Sequence, residues 1–342
     1  MRYIGSKTNL LNEISEVINK NTKNLKSFCD IFTGTGVVSR NFKKDFSVMS
    51  NDILYFSHII QKATIEGNQI PEFLNLANEI REDPFIYLNN INESKFQFST
   101  APFIYDNYAP STSCDRQYFS KKNALKIDAI RQTIESWSIQ GLISDVEYSY
   151  LLACLIESAP FVSNIAGTYG AYLKHWDKRA LKAVNLIRLP VENNNKRNYS
   201  FNKDANDLIK VISGDILYID PPYNGRQYLS NYHILETLAK YDNPKIKGIT
   251  GIREDSEGSS DYCKKSKVGS SFHNLIENAD FKFIVVSYST DGIMAEDEIA
   301  ATLEKFGNKS SLSVKKIPYR RYKHTPGTVE HKLNELIFSI KK

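Results

Sequence analysis

The sequence predicts an α/β protein in which a core of parallel strands is interrupted by a mostly helical insertion. Three observations favour this fold class. A strand, a glycine-containing turn, a helix and a second strand follow one another between residues 28 and 52. Helical patterns dominate from there to about residue 197. From residue 214 onward, short apolar runs alternate again with helical patterns, as in chains that build βαβ units.

The first α/β segment starts with the apolar run Phe28–Phe32, which ends in Thr33-Gly34-Thr35-Gly36. We expect a helix from about Val37 to Lys44 and a second strand over Phe46–Ser50. Asn51-Asp52 closes that strand. This order predicts the opening of a parallel sheet.

The insertion begins with a long, mostly helical stretch over Phe56–Glu93. A polar, aromatic and proline-containing segment from Ser99 to Ser120 predicts an exposed loop or hairpin. Apolar residues at helical spacing predict helices over Asn123–Trp137 and Val146–Ile156. The polar run Asn193–Asn198 predicts a module boundary.

The α/β pattern resumes after this boundary. Its predicted elements are a strand over 214–220, a helix over 232–241, a strand over 281–287, a helix over 296–306 and a strand over 335–340. We therefore expect one discontinuous domain of residues 1–55 and 198–342, with residues 56–197 as the insertion.

Composition excludes several classes of protein. The chain has 342 residues, 41% hydrophobic and 24% charged, so wholesale disorder is excluded. Its four cysteines form no C-x-x-C pair and its six histidines lie at no metal-ligand spacing, so we expect no metal site. No run approaches the roughly 20 apolar residues of a membrane span. We expect a cytoplasmic protein without membrane contact.

The most specific motif is Asp220-Pro221-Pro222-Tyr223, which follows a predicted strand. Ligands of open α/β sheets bind at the carboxyl ends of the strands. Two prolines fix the turn and leave carbonyl oxygens without neighbouring donors. A carboxylate, a free carbonyl and an aromatic ring together suit a planar amine.

The second motif is Asp30-x-Phe32-x-Gly34-x-Gly36. Glycines after a first strand let the backbone approach a ligand closely, although Ser39 stands where a dinucleotide fingerprint has its third glycine. Asp52, after the second strand, is placed to bind ribose hydroxyls of an adenosine-containing cofactor.

Together with Tyr3-Ile4-Gly5-Ser6-Lys7, these motifs resemble the Dam-like alpha group of DNA adenine-N6 methyltransferases, of restriction-modification type. The order of motifs is that of the group: cofactor motifs, a target-recognition insertion, then the catalytic motif. The resemblance implies a Rossmann-like S-adenosylmethionine-dependent methyltransferase fold with an inserted, mostly helical target-recognition domain. The tract Ser163–Tyr172 is also similar to restriction-modification methyltransferases.

The resemblance implies S-adenosylmethionine as the cofactor. The residues that it implies as cofactor-binding are Tyr3, Lys7, Asp30, Phe32, Gly34, Gly36, Asp52, Asp204 and Asp220. Asp204 fits the acidic motif before the catalytic strand best, but Asp207 and Asp215 also lie near that strand.

The implied catalytic residues are Asp220, Pro221, Pro222 and Tyr223. Adenine would be flipped out of the duplex and stacked on Tyr223. Its amine would donate hydrogen bonds to the Asp220 carboxylate and the Pro221 carbonyl, which localises the nitrogen lone pair for in-line attack on the sulfonium methyl group.

The implied partner is double-stranded DNA, because cationic residues occur in local clusters despite a net charge of only +5. The candidate DNA-binding residues are Arg116, Gln117, Tyr118, Lys121, Lys122, Arg226 and Gln227. Four cationic clusters lie around residues 116–131, 174–182, 264–267 and 315–323.

We therefore predict a site-specific adenine-N6 DNA methyltransferase of a type II restriction-modification system, with a cognate restriction endonuclease as a candidate partner. The alternative is an S-adenosylmethionine-dependent RNA or protein-amide methyltransferase, because an acidic Pro-Pro-Tyr motif also suits planar amides.

Overall fold

The computed structural model describes residues 4–21, 24–254, 258–319 and 333–342. The chain folds into two units. The sheet unit consists of Lys7–Ile53, Lys196–Gln227 and Ser259–Lys342, and the helical unit of Met1–Ser6, Leu54–Asn195 and Tyr228–Gly258. The predicted domain division stays a prediction: its limits at 55/56 and 197/198 lie two residues from these unit boundaries, but Met1–Ser6 and residues 228–258 belong to the helical unit, whereas the sequence predicts them in the α/β domain.

Strands and α-helices are numbered along the chain. The strands are β1 (Ser27–Asp30), β2 (Ser47–Asn51), β3 (Tyr199–Phe201), β4 (Ser213–Ile219), β5 (Ile246–Lys247), β6 (Ile252–Arg253), β7 (Asp280–Ser289), β8 (Ser313–Tyr319) and β9 (Leu333–Lys341). The helices are α1 (Leu11–Asn21), α2 (Val37–Phe42), α3 (Tyr55–Gln61), α4 (Leu74–Ile80), α5 (Pro84–Asn90), α6 (Phe103–Tyr108), α7 (Lys121–Ile139), α8 (Asp145–Ser158), α9 (Ala205–Leu208), α10 (Tyr228–Lys240), α11 (Val268–Asn278) and α12 (Glu296–Phe306).

The sheet unit is built on a mixed, mostly parallel sheet. Its strand order within the described residues is β3-β2-β1-β4-β7-β9-β8. Strands β3, β2, β1, β4 and β7 pair in parallel. β9 runs antiparallel to both β7 and β8. The α/β class with a mostly parallel sheet is therefore confirmed.

Helices cover both faces of this sheet, which explains why its central strands are continuously apolar. On one face, Phe272 and Leu275 of α11 and Leu303 of α12 belong to a buried cluster with sheet residues such as Ile284. Elsewhere in the unit, Phe28 of β1 stacks on Phe42 of α2 with ring centroids 4.6 Å apart.

The helical unit contains the long helices α7 and α8 together with α3 and α10. Both long helices start at serine caps: the Ser120 hydroxyl accepts from the Asn123 amide, and Ser144 forms a capping box with Glu147. Helix α10 begins at Tyr228, four residues before the predicted start, and has non-helical dihedrals at Tyr232.

The segment from Ser99 to Ser120 is not the predicted exposed loop or hairpin. It contains α6, and its aromatic residues Tyr108, Tyr118 and Phe119 are buried. The amides of Tyr118 and Phe119 both donate to the Tyr108 carbonyl. The segment reads as polar because its apolar residues are few, but several of them are aromatic and provide enough buried surface to fold it inward.

The sequence did not predict β8. Lys315, Lys316 and Pro318 weaken its apolar pattern, and the structure places it at the sheet edge, where lysine and proline are common. In the described ranges, no helix is both long enough and apolar enough to cross a membrane.

Candidate active site

The two predicted motifs come to the same edge of the sheet. Asp30 ends β1, Asp220 directly follows β4, and these strands are hydrogen-bonded neighbours. The strand order reverses between β1 and β4. The strands that follow β1 in the sheet on one side are β2 and β3, and those beyond it on the other side are β4 and β7. Such a switch point opens a crevice at the carboxyl ends of the strands.

The loop after β1 has the backbone conformation that its glycines permit. Gly34 and Gly36 have φ of 54° and 82°, in the left-handed region that other residues rarely adopt. The Gly34 amide donates to a carboxylate oxygen of Asp52 at 2.8 Å. Asp52 therefore holds the loop, in addition to any role toward a ribose.

Asn51 connects three chain segments and was missed as a site residue. Its side-chain amide donates to the carbonyls of Ile31 and Lys203, both at 3.1 Å, and its Oδ1 accepts from the Lys203 amide at 3.1 Å. The glycine loop, the end of β2 and the segment before α9 are thereby joined. An Asn-Asp pair after a strand is the signal that could have indicated it.

Asp30 is buried beneath the loop. One carboxylate oxygen accepts from the Ser39 hydroxyl at 2.8 Å. The other, Oδ1, is buried and has no hydrogen-bond partner among the described residues. Burial raises the pKa of Asp30 to about 8, with further contributions from the charges of Asp220 and Asp52. The raised pKa means that the charged carboxylate is disfavoured in this position, and a cationic ligand group beside it would stabilise that charged form.

Lys7 forms an ion pair with Asp220 of the predicted catalytic motif. Its Nζ lies 3.0 Å from Asp220 Oδ1 and 5.2 Å from the centre of the Tyr223 ring. Burial is the largest single influence and opposes its charge, but Asp220, Tyr223 and Glu335 together outweigh burial, and the pKa of Lys7 is raised. Burial raises the pKa of Asp220, and Lys7 counteracts that rise, which favours the carboxylate form.

Glu335 is a second carboxylate beside Lys7, with its Oε2 at 3.7 Å from Nζ. Sequence reasoning treated Glu335 only as the start of a strand. Sites in parallel sheets are expected at the carboxyl ends of the strands, whereas β9 is antiparallel and has its amino end at that same edge, where Glu335 pairs with Ser289 of β7. Burial raises the pKa of Glu335, with Lys7 opposing the rise.

The three aspartates that precede or lie in β4, which were candidates for the acidic cofactor motif, have different surroundings. Asp215 is at the opposite end of β4 and accepts from the amides of Lys26 and Ser27. Asp207 is 75% exposed and pairs with Lys210. Asp204 caps α9 directly after Lys203, which Asn51 holds. Asp204 is thus the one beside the loop network, and its contact with a cofactor stays a prediction.

An aromatic pair also lies near Asp204. The ring of Phe32 meets the edge of the Tyr262 ring with centroids 4.8 Å apart, and the hydroxyl group of Tyr262 donates to Asn206 Oδ1. Tyr262 was not among the predicted site residues, because nothing in its local sequence distinguishes it from a core tyrosine.

Two of the predicted DNA-binding residues have structural roles in the helical unit. The Arg116 guanidinium donates to the backbone carbonyls of Asn107, Gly248 and Ile249. Tyr118 is fully buried, and its hydroxyl lies within hydrogen-bond distance of the carbonyls of Tyr169 and Thr250, to either of which its single hydrogen can be donated. Base contact by these two side chains is therefore not supported, because their polar groups are already bonded inside the fold.

The other predicted DNA-binding residues fall into two groups. Lys121, Lys122 and Arg226 are exposed. Gln227 is bonded to Ser260 through both its amide nitrogen and its amide oxygen. Gln117 is partly buried, and its Oε1 has no hydrogen-bond partner among the described residues.

The cationic clusters are smaller in three dimensions than in the sequence. Lys126 and Arg131 are buried, and they donate to the carbonyls of Asn89 and Leu238. Other members pair with acidic residues: Lys264 and Lys267 with Asp261, Lys315 with Glu16, and Lys316 with Glu296. Tyr3, Arg320, Arg321 and Lys323 lie outside the described residues.

The tract Ser163–Tyr172 contributes to a cavity of about 230 Å³ in the helical unit. Phe161, Ile165, Tyr169 and Tyr232 form part of its wall, together with the partly buried Arg179. Within the described ranges, no group of three or more His, Cys, Asp or Glu side chains could hold a metal ion.

Comparison with known proteins identifies the family. The model of the D12 class N6 adenine-specific DNA methyltransferases matches residues 3–302. The chain belongs to this family. As a D12 class member, it carries Asp220-Pro221-Pro222-Tyr223, the glycine loop and Lys7 together in its sheet unit.

Named relatives of this D12 class chain are modification enzymes. It is 51% identical to the type II methyltransferase M.FokI of Planomicrobium okeanokoites and 43% identical to the modification methylase StsI of Streptococcus sanguinis, each over the whole chain. It spans about half of these proteins, 53% and 52% respectively. It is 40% identical to the type II methyltransferase M.NlaIII of Neisseria lactamica, over 94% of the chain and 92% of that protein.

Proposed function

We propose that this chain is a site-specific DNA adenine-N6 methyltransferase that uses S-adenosylmethionine to methylate an adenine flipped out of duplex DNA. The observation that carries the proposal is the position of Asp220-Pro221-Pro222-Tyr223. The motif follows β4 at the sheet's switch point, beside the β1 loop, and its carboxylate lies 3.0 Å from Lys7. Family membership supports the same chemistry.

The residues around the β1 loop fit S-adenosylmethionine. Gly34 and Gly36 leave the backbone free of side chains. The buried Asp30 has an unpartnered carboxylate oxygen that suits a cationic group of the cofactor. Phe32 offers an aromatic surface for its adenine, and Asp52 and Asp204 offer carboxylates for its polar groups. When bound, the cofactor would supply a sulfonium methyl group.

The catalytic motif would activate the target amine by accepting its hydrogens. The Asp220 carboxylate would accept one hydrogen bond and the Pro221 carbonyl the other. The next residue, Pro222, has no backbone N–H group. Both acceptors favour the developing ammonium and localise the nitrogen lone pair. Tyr223 would stack on the flipped base, and its ring is held edge-on to Tyr288 at 6.0 Å.

We further propose that the helical unit carries target recognition and that the enzyme is the modification component of a type II restriction-modification system. Lys121 and Lys122 are exposed at the start of α7, where they could contact phosphates. The names of M.FokI, StsI and M.NlaIII support this class, with a cognate restriction endonuclease as the partner.

Methyl transfer to DNA tests this function. The purified chain is incubated with radiolabelled S-adenosylmethionine and duplex DNA, and nucleosides from the digested product are separated by mass spectrometry. We expect N6-methyladenine from the wild type and from Asp207→Asn, whose carboxylate is exposed on α9, and none from Asp220→Ala.

Label in another nucleoside, or an inert wild type beside an equally inert Asp220→Ala, would contradict the proposal. Labelled RNA or labelled glutamine side chains without labelled DNA would instead support the RNA or protein-amide alternative.

A further inference from the structure

One buried ammonium group, that of Lys7, lies between the partly buried carboxylate of Asp220 and the buried carboxylate of Glu335 in the sheet unit. Lys7 is 3% exposed, and its Nζ is 3.0 Å from Asp220 and 3.7 Å from Glu335. The Glu335 side chain is itself only 7% exposed. A buried charge without a partner is costly, so each of these groups depends on the others.

This arrangement creates a conflict during the proposed reaction. Asp220 must accept a hydrogen bond from the target amine while its Oδ1 is paired with Lys7, so the amine at Oδ2 and the ammonium at Oδ1 compete for one carboxylate charge. If Asp220 were the sole partner of Lys7, accepting the amine would weaken the only interaction that balances a buried ammonium. The Lys7–Asp220 ion pair would then oppose binding of the target amine at Asp220.

We infer that Glu335 is a positioning residue: it holds the Lys7 ammonium group in place while Asp220 turns an oxygen toward the target amine. This inference rests on the proposed methyl transfer. Glu335 reaches the site because β9 is antiparallel to β7 and begins at the catalytic edge of the sheet. It does not touch the catalytic motif by any described hydrogen bond, so it acts through Lys7.

Other titratable groups also face this cluster. They are Asp30, whose charge interacts with Asp220; Tyr218 and Tyr223, which interact with Asp220 and Glu335; and Asp291, which interacts with Glu335 and Tyr223. Because carboxylates raise each other's pKa, removing the Glu335 charge should lower the pKa of Asp220. The acidic limb of the pH–rate profile should then move to lower pH.

The test compares Glu335→Gln, Glu335→Asp and a matched control, Glu296→Gln, which removes a surface carboxylate paired with Lys316 in the same unit. For Glu335→Gln we expect kcat to fall about tenfold while KM for DNA and for S-adenosylmethionine stays within about twofold. Its acidic limb should move to lower pH. Glu335→Asp should recover most of kcat, and the acidic limb of its pH–rate profile should lie at the same pH as in the wild type. Glu296→Gln should match the wild type in both measurements.

A second measurement needs no activity. Trace acetylation followed by mass spectrometry gives the reactivity of Lys7 relative to the exposed Lys122 of the same molecule. Glu335→Gln should raise this ratio severalfold, because Lys7 loses a carboxylate that favours its charged, unreactive form, whereas Glu296→Gln should not change it.

Two results would overturn the inference: an unchanged Lys7 ratio in Glu335→Gln, or equal losses of kcat in the Gln and Asp variants with no movement of the acidic limb. An inactive wild type would refute the proposed function alone, and the Lys7 ratio would still report whether Glu335 holds Lys7.

Discussion

Asn51→Ala should destabilise the sheet unit, because the substitution removes three side-chain hydrogen bonds, one buried and two partly buried. Each such bond contributes about 1 kcal/mol net, so we expect a loss of about 3 kcal/mol. The carbonyl of the fully buried Ile31 would lose the Asn51 side-chain donor. Asn202→Ala is the matched control: its side chain also joins the β3–α9 segment to the end of β2, through the carbonyls of Asp52 and Ile53, but it is exposed. We expect it to lose under about 1 kcal/mol.

Hydrogen exchange measured by mass spectrometry resolves this difference locally. Both tryptophans, Trp137 and Trp176, belong to the helical unit, so tryptophan fluorescence would not report on the sheet unit. In Asn51→Ala, peptides that cover the glycine loop should exchange roughly a hundredfold faster under native conditions. Similar rates in the Asn51 and Asn202 variants would refute the view that Asn51 holds the loop.

Three further predictions concern charge and backbone conformation. Asp30 has a pKa of about 8 in the folded protein against an ordinary 3.8, so between these values the folded state binds a proton that the unfolded state has lost. The free energy of unfolding therefore falls as pH rises from about 4 to 8. In chemical denaturation, Asp30→Asn should be more stable than the wild type at about pH 8.5 but not at about pH 4. Gly36→Ala should cost about 1 kcal/mol in thermal unfolding because its φ is 82°, whereas Gly167→Ala, with open space around its Cα, should cost less. In DNA-binding titrations, Lys122→Met should lower affinity and reduce the salt dependence, whereas Arg131→Met, which removes a buried guanidinium, should instead lower the melting temperature.

Much of the α/β framework could be predicted because its signals are local. The apolar runs that became β1, β4 and β7 are continuous, and glycines or prolines mark their ends. β8 could not be predicted in the same way, since an edge strand with lysines and proline lacks that contrast. The burial of the aromatic residues in the Ser99–Ser120 segment could not be predicted either, because it depends on partners far away in the sequence, such as the Gly251 carbonyl that accepts from Tyr108.

The candidate site was predictable where short motifs carry it and not where long-range pairing does. Asp220 and the glycine loop are recognisable from a few consecutive residues. Glu335 reaches Lys7 only through the antiparallel pairing of β9 with β7, and Asn51 matters only through Ile31 and Lys203. Arg116 was predicted to bind DNA because it belongs to a cationic cluster of the sequence. Its guanidinium instead donates to the backbone carbonyls of Gly248 and Ile249, far away in the sequence.

The position of β9 between β7 and β8 has a consequence for synthesis on the ribosome. β8 emerges before β9, yet β9 is its sheet neighbour within the described residues. A nascent chain that ends after Tyr319 therefore holds an edge strand with nothing to pair with, and a Lys7–Asp220 pair without Glu335. Insertion of β9 thus completes both the described sheet and the edge that carries Asp220 and Glu335, so the Lys7 cluster forms only after β9 has been made and has inserted.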